Sequence, residues 1–345
     1  MSNEKRQIVN SIVGIAEAVD MSPATVSRVL NNHPHVTQKT RDKVLGMVKK
    51  VGYRRNGLAA GLRSNKTNII GLIVPRISMF VHAEVITSIQ NSLYQHQYNL
   101  IICQSNDQLE LEKEQVRTLY AARVDAVIVA CTLQTTDFEH FNIFLENDIP
   151  VVFYDRVPVK PYPVTVIKGD DEGGGYLATS HLIQRGCKKI AHITGTLQSN
   201  LYIDRYKGFK KAMKEHSLAV RKEWIISQEL TAANAEKAME KLFAHNPIPD
   251  ALFAANDVTA FTALQWAMNK GIKVPGDFKI VGYSNDPRSS ITSPSVTTID
   301  QFPSRMGDVV VEKLMTILKP GREGKFPESP KPVVMPVQLI QRMST

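Results

Sequence analysis

From residue 69 to residue 283 the chain alternates short, almost continuous apolar runs with amphipathic segments of helical length, and that alternation excludes most folds. The apolar runs fall at 69–74, 98–104, 126–130, 151–154, 165–167, 189–194, 224–227, 251–255 and 279–283. A strand that is apolar at consecutive positions is buried on both faces, as in a parallel sheet covered by helices. The segments 84–96, 108–121, 173–185, 204–216, 232–245, 257–270 and 303–318 supply those helices. So many strands over this length suit two doubly wound halves better than one. Ligands in such folds bind beyond the carboxyl ends of the strands.

The first 66 residues follow another pattern. Ile12, Ile15, Ala16 and Val19 form one apolar stripe, which predicts a helix over 11–19. Asp20 and Met21 turn the chain into a second helix. Ser22 is its N-cap and Pro23 its first residue, where the missing N–H costs nothing. Val26, Val29 and Leu30 face inward, leaving Ala24, Thr25, Ser27, Arg28 and Asn31 outside. Two short helices joined this tightly are a helix-turn-helix candidate. Thr37 caps a third helix with Val44, Met47, Val48 and Val51 inside, Lys39, Arg41, Lys43, Lys49 and Lys50 outside, and Gly52 at its close.

Charge separates the two parts. Residues 1–66 hold twelve Lys/Arg against four acids, which accounts for eight of the nine net positive charges. A basic unit joined to a near-neutral body expects a polyanion at one end only. Cys103, Cys131 and Cys187 stand apart among apolar neighbours without metal-ligand spacing, as buried thiols do in a reducing compartment. No signal-peptide core and no 18-residue apolar run occurs, so a cytoplasmic protein is expected.

The run Ser22-Pro23-Ala24-Thr25-Val26-Ser27-Arg28-Val29-Leu30-Asn31, with Val36-Thr37, Thr40-Arg41, Lys43-Val44 and Gly52-Tyr53, resembles the headpiece of the LacI/GalR family of bacterial transcription regulators. The next segment, Asn56-Gly57-Leu58-Ala59-Ala60-Gly61-Leu62-Arg63-Ser64, is similar to that family's hinge helix. Further segments follow in family order: Asp170-Asp171-Glu172-Gly173-Gly174, Ile190–Gly195, Arg205–Phe209, Ala254–Asp257, Val281–Tyr283 and Ser293–Gln301. The resemblance implies an N-terminal all-α helix-turn-helix headpiece followed by an α/β periplasmic-binding-protein-like core of two Rossmann-like lobes. It places the headpiece at 1–55, the hinge at 56–67 and an effector-binding, dimerising core at 68–345. Within the core it assigns 68–165 and 297–325 to the first lobe, and 166–296 and 326–345 to the second.

Carried over residue by residue, the resemblance puts Pro23, Ala24 and Arg28 where the family reads bases. Ser22, Thr25, Ser27 and Asn31 match phosphate or edge contacts, and Leu62 matches a leucine wedged into the minor groove. Arg28, which can be bidentate to guanine, is the expected main determinant of specificity.

The core candidates lie at strand ends, where carboxylate, amide and guanidinium groups suit the hydroxyls of a sugar or polyol acid. They are Asp155, Arg205, Asn256, Asp257, Ser284 and Asn285, with Phe80 and His82 replacing the family's aromatic wall. Gly14 stands where relatives often carry an acid, and Ser284 where many carry a sugar-gripping aspartate.

The expected function is thus a repressor acting as a homodimer on palindromic operator DNA, controlled by a carbohydrate-related effector and needing no cofactor or metal. Enzyme readings find no G-x-S-x-G, P-loop, HExxH or strand-following G-x-G-x-x-G. His181 and His192 stand alone in apolar segments, and Asp170-Asp171-Glu172 reads as helix capping rather than a metal site. The competing class is a cytoplasmic solute-binding module of the same core fold without operator-specific regulation.

Overall fold

The computed structural model describes residues 11–30, 32–53, 66–244, 246–319 and 331–345. The chain divides after Thr67 into two compact units. The first holds α1 (Ile12–Val19), α2 (Pro23–Leu30) and α3 (Gln38–Val51). Their inward faces meet in a small core of Ile15, Ala16, Val19, Val26, Val29 and Val44. Gly14 is buried and needs no acid for capping, because Ser11 Oγ accepts from its N–H at 2.9 Å. Gly52 ends α3 at φ 66°, a left-handed conformation that favours glycine.

The second unit carries two parallel sheets. In chain order come β1 (Ile69–Val74), α4 (Phe80–Gln95), β2 (Asn99–Gln104), α5 (Leu109–Ala121), β3 (Ala126–Val129), α6 (Asn142–Leu145), β4 (Val151–Tyr154) and β5 (Thr165–Gly169). Next are α7 (Asp171–Gln184), β6 (Ile190–Thr194), α8 (Asn200–Glu215), β7 (Ile225–Ser227), α9 (Ala232–Ala244), β8 (Ala251–Ala254), α10 (Asp257–Asn269) and β9 (Lys279–Val281). The chain then returns through α11 (Arg288–Ile291), β10 (Thr298–Asp300) and α12 (Pro303–Ile317) to β11 (Val333–Met335) and β12 (Gln338–Ile340).

The first sheet runs β11-β5-β4-β3-β1-β2 and the second β7-β6-β8-β9, with β10 and β12 paired antiparallel. Helices cover both faces of each sheet, which is why most strand positions are apolar, with His192 in β6 and Lys168 in β5 among the polar exceptions. The lobe boundaries differ from those expected. β5 pairs with β4, and Val333–Met335 pair with β5, so residues 165–169 and 333–335 belong to the first lobe. The reason is local: β11 has three residues, bounded by Pro332 and Pro336, and carries too little pattern to be assigned from sequence.

Cys103, Cys131 and Cys187 are buried and free. Among the described residues no helix is long and apolar enough to cross a membrane.

Candidate functional site

In the N-terminal unit, Thr25 N–H donates to Ser22 Oγ at 3.2 Å, so Ser22 caps α2 and Pro23 begins it. Burial of Val26 and Val29 turns Pro23, Ala24 and Arg28 to solvent, with Thr25 and Ser27 half-buried beside them. Arg28 has no acidic partner among the described residues. Arg41, expected among the outward cations of α3, has another task. It donates to the Asn32 side chain and, at 3.0 Å, to the His33 carbonyl, fastening α3 to the turn after α2. Lys39, Lys43, Lys49 and Lys50 stay exposed. Asn31 and Leu62 lie outside the described residues.

In the core, Asp155 follows β4 with φ 56°. Asn200, opening α8 in the second lobe, donates to the Asp155 carbonyl at 2.9 Å and accepts from Val157 N–H at 2.9 Å. Asp155 is only 7% exposed, yet its carboxylate has no ion pair or hydrogen bond among the described residues. Its charge is felt by His82, Arg156, Asp171, Tyr202 and Arg205, which surround it from both lobes. A buried charge without a direct partner is costly, and this one sits where the two lobes meet.

Around the rim, Arg156 pairs with Asp107, while Arg76 lies 3.9 Å from Asp107 and 3.5 Å from Glu229 of the second lobe. Sequence reasoning missed Arg76, Asp107, Arg156, Asn200 and Glu229. The only visible signal was Asp155-Arg156 after a strand, because partners drawn from distant loops leave no spacing pattern.

Phe80 and His82 do not form a stacking wall. Phe80 opens α4 and packs on the first lobe's core, and His82 is buried beneath the site with Nδ1 3.4 Å from the Tyr154 hydroxyl. Arg205 is knitted into the second lobe. Its Nε–H donates to Asp171 at 2.8 Å, its Nη1 donates to the Ala255 carbonyl at 2.7 Å, and its guanidinium lies 3.6 Å from the Tyr283 ring centroid. The Tyr283 hydroxyl also donates to Asp171, at 3.1 Å. Asp170, one residue earlier, caps α7 through Gly173 N–H, so only part of the acidic run is capping.

Three other candidates are engaged within the second lobe. Asn256 caps α10 through Thr259 N–H and donates to the Leu230 carbonyl. Asp257 accepts from Asp286 N–H at 2.7 Å and Thr298 Oγ1–H at 2.6 Å, pinning two loops. Asn285 joins Asp300 and Arg342. Ser284, at φ 124°, has its hydroxyl 3.5 Å from the Gln301 amide. These polar atoms hold the strand-end loops in place rather than standing open to a ligand.

Burial sets opposing titrations here. It raises Asp171 and Asp257 to about 6, so the folded protein keeps protons there that the unfolded chain releases. Stability from these acids is present at low pH and lost as pH rises from about 4 through 6. Burial also lowers His82 and His192 to about 4, which makes the unfolded chain the stronger proton binder between about 4 and 6.5. That contribution is present above about 6.5 and lost as pH falls through 4. The two acids and the two histidines therefore oppose one another across this window. His192 stacks on Phe253 and Phe209, so His192→Phe should keep its shape. Relative to wild type, the variant should gain about 2 kcal/mol on going from pH 7 to pH 4 in urea unfolding. Parallel pH profiles would contradict the assignment.

Residues 11–56 match the family model described as bacterial regulatory proteins, lacI family, and residues 179–345 match a periplasmic binding protein-like domain. The HTH-type transcriptional repressor PurR of Histophilus somni (strain 129Pt) is 33% identical over 319 residues, covering 92% of this chain and 95% of that protein. The chain belongs to the LacI family. It is a DNA-binding transcriptional repressor of that type. PurR of Aliivibrio fischeri (strain ATCC 700601 / ES114) is 34% identical over 90% of this chain and 92% of its own length.

Among solved structures, the Lac repressor dimer bound to operator and the anti-inducer ONPF aligns with TM-score 0.85 and 25% identity, over 97% of this chain and 98% of that one. A periplasmic binding protein/LacI transcriptional regulator from Alkaliphilus metalliredigens QYMF, complexed with D-xylulofuranose, aligns with TM-score 0.69 and 27% identity. That match covers 81% of this chain and 99% of the other. In this LacI-family repressor, α2 is accordingly the recognition helix of the helix-turn-helix.

Proposed function

We propose that this LacI-family repressor is a cytoplasmic homodimer. Its affinity for a palindromic operator responds to a sugar or sugar derivative bound between the core lobes. The observation that carries the effector reading is the Asp155 carboxylate, buried at the lobe junction without a direct partner among the described residues and close to two arginines. A polyol hydroxyl donates to such a carboxylate, and a ligand held there touches both lobes. The sugar in the Alkaliphilus regulator supports the class of ligand. Direct contact falls to Asp155 and its neighbours Arg156 and Arg205, while Asn256, Asp257 and Asn285 position loops.

The test is a thermal-shift screen of the full chain with sugars, sugar acids and nucleobases, since a ligand that binds only the folded state raises its melting temperature. A sugar-class hit abolished by Asp155→Asn is expected. A response confined to nucleobases, or one indifferent to Asp155→Asn, sinks the reading.

On the DNA side, Arg28→Ala should cost about 1–3 kcal/mol on the preferred operator and relax base choice. Lys49→Ala should weaken all sequences alike, because a phosphate contact carries no sequence information. Binding-site selection with each variant separates the two roles, and an unchanged motif and affinity for Arg28→Ala would remove Arg28 from base readout. Leu62 keeps its proposed wedge role by resemblance, and dimerisation rests on the small reading surface of one α2. Sedimentation showing a strict monomer both free and on operator DNA would refute the dimer.

A further inference from the structure

A cavity of about 440 Å³ lies along one face of α8, and Asp155 is not among its lining residues. Asn200, Ile203, Asp204 and Lys207, spaced as one helical stripe, form its second-lobe wall. The first lobe supplies the loop from Val157 to Tyr162, the outer face of β5, and residues 331–332. Most of this lining is apolar. Its charged groups are four lysines (Lys160, Lys168, Lys207 and Lys331) and one acid, Asp204. Asp204 lies 2.7 Å from both Lys168 and Lys207. Lys160 and Lys331 have no acidic partner among the described residues.

We infer that this cavity is a second ligand site, for a small phosphomonoester whose apolar or ring body lies against the valine, proline and tyrosine wall. The volume falls in the range of small-molecule sites. Lys160 and Lys331, without an acidic partner among the described residues, match the two negative charges of a phosphomonoester better than the single charge of a carboxylate, and lysines bind phosphate as point charges. Tyr162 is a fixed wall rather than a mobile flap, since its hydroxyl donates to Asn142 at 2.6 Å. Asn200 belongs both to this lining and to the hydrogen bonds that hold Asp155, so the two sites share one residue. Both lobes line the cavity, and its ligand would fasten them together.

Calorimetry on the full chain with glucose 6-phosphate and adenosine 5′-monophosphate tests this, with glucose and adenosine as uncharged comparators. At least one phosphomonoester should bind and its parent alcohol should bind at least about tenfold more weakly, with affinity falling as salt rises. The double variant Lys160→Glu/Lys331→Glu should lose at least about tenfold in affinity, while Asp155→Asn should bind as wild type. Both lysines are exposed, so the fold is not at stake. Absence of phosphomonoester binding at millimolar concentration overturns the proposal. So does binding lost in Asp155→Asn but kept in the double variant, which would put the anion in the cleft instead. Failure here leaves the Asp155 reading standing, because that reading has its own test, a sugar-class thermal shift abolished by Asp155→Asn.

Discussion

Replacing Arg205 by alanine is expected to destabilise the core by about 3–5 kcal/mol, the range for removing one member of a buried ion pair. Arg205 is 3% exposed and Asp171 2%, and the pair is completed by the Ala255 carbonyl and the Tyr283 ring and hydroxyl. Without the guanidinium, the Asp171 carboxylate is left buried with a tyrosine hydroxyl as its remaining donor. Taking up a proton would relieve part of that cost, so the loss should be greatest above pH 7 and smaller near pH 5. Arg205→Ala/Asp171→Ala should lose less than the two single variants summed, because the second change removes the orphaned charge. Urea unfolding of the four proteins at two pH values gives the result. A loss under about 1 kcal/mol for Arg205→Ala would show that the pair is not holding the lobe. The resemblance alone led to a residue free to grip the effector; the structure makes Arg205 first a support of the second lobe. Loss of effector response in Arg205→Ala is therefore interpretable only beside its stability.

The second large effect is expected at Gly208. Helices α7 and α8 cross with backbones in contact, and a methyl group on Gly208 would sit 2.0 Å from the Glu172 carbonyl oxygen and 2.6 Å from Tyr176 N. Gly175 meets the same crossing from the other side, its added carbon 2.2 Å from the Arg205 carbonyl oxygen. Neither neighbour is a side-chain tip able to swing away, so the helices must separate. Overpacking usually costs about 1–3 kcal/mol, and a backbone-to-backbone clash should lie at or beyond the top of that range. Because α7 carries Asp171 and α8 carries Asn200 and Arg205, Gly208→Ala should also displace the groups around Asp155. Gly46→Ala in α3 is the contrasting control, since an added carbon there meets nothing within 4 Å. It should be neutral or stabilising, because alanine is the better helix former. If Gly208→Ala unfolds at the wild-type urea midpoint, the close crossing is not a constraint.

Local pattern alone determined much of this protein. Period and capping placed the start of α2 at Pro23, because Ser22, Pro23 and the Val26/Val29 stripe act within a few positions of one another. The nine apolar runs became strands of two parallel sheets, since burial on both faces leaves the same signature wherever the partners lie. The skewed charge marked the DNA-binding end. What the tertiary structure decided was which side chains have partners. Asp155 and Asp257 read as strand-end polar residues and Arg205 as a polar residue opening a helix; only the folded chain brings Asp171 and Tyr283 to Arg205, and Thr298 and Asp286 to Asp257. Among the described residues it leaves the Asp155 carboxylate with none of its own. Those contacts join residues up to 112 positions apart, as between Asp171 and Tyr283. A hydrogen bond is set by distance in space, and no spacing along the chain records it. The same holds for β11, whose three residues join the first lobe only because β5 is there to pair with.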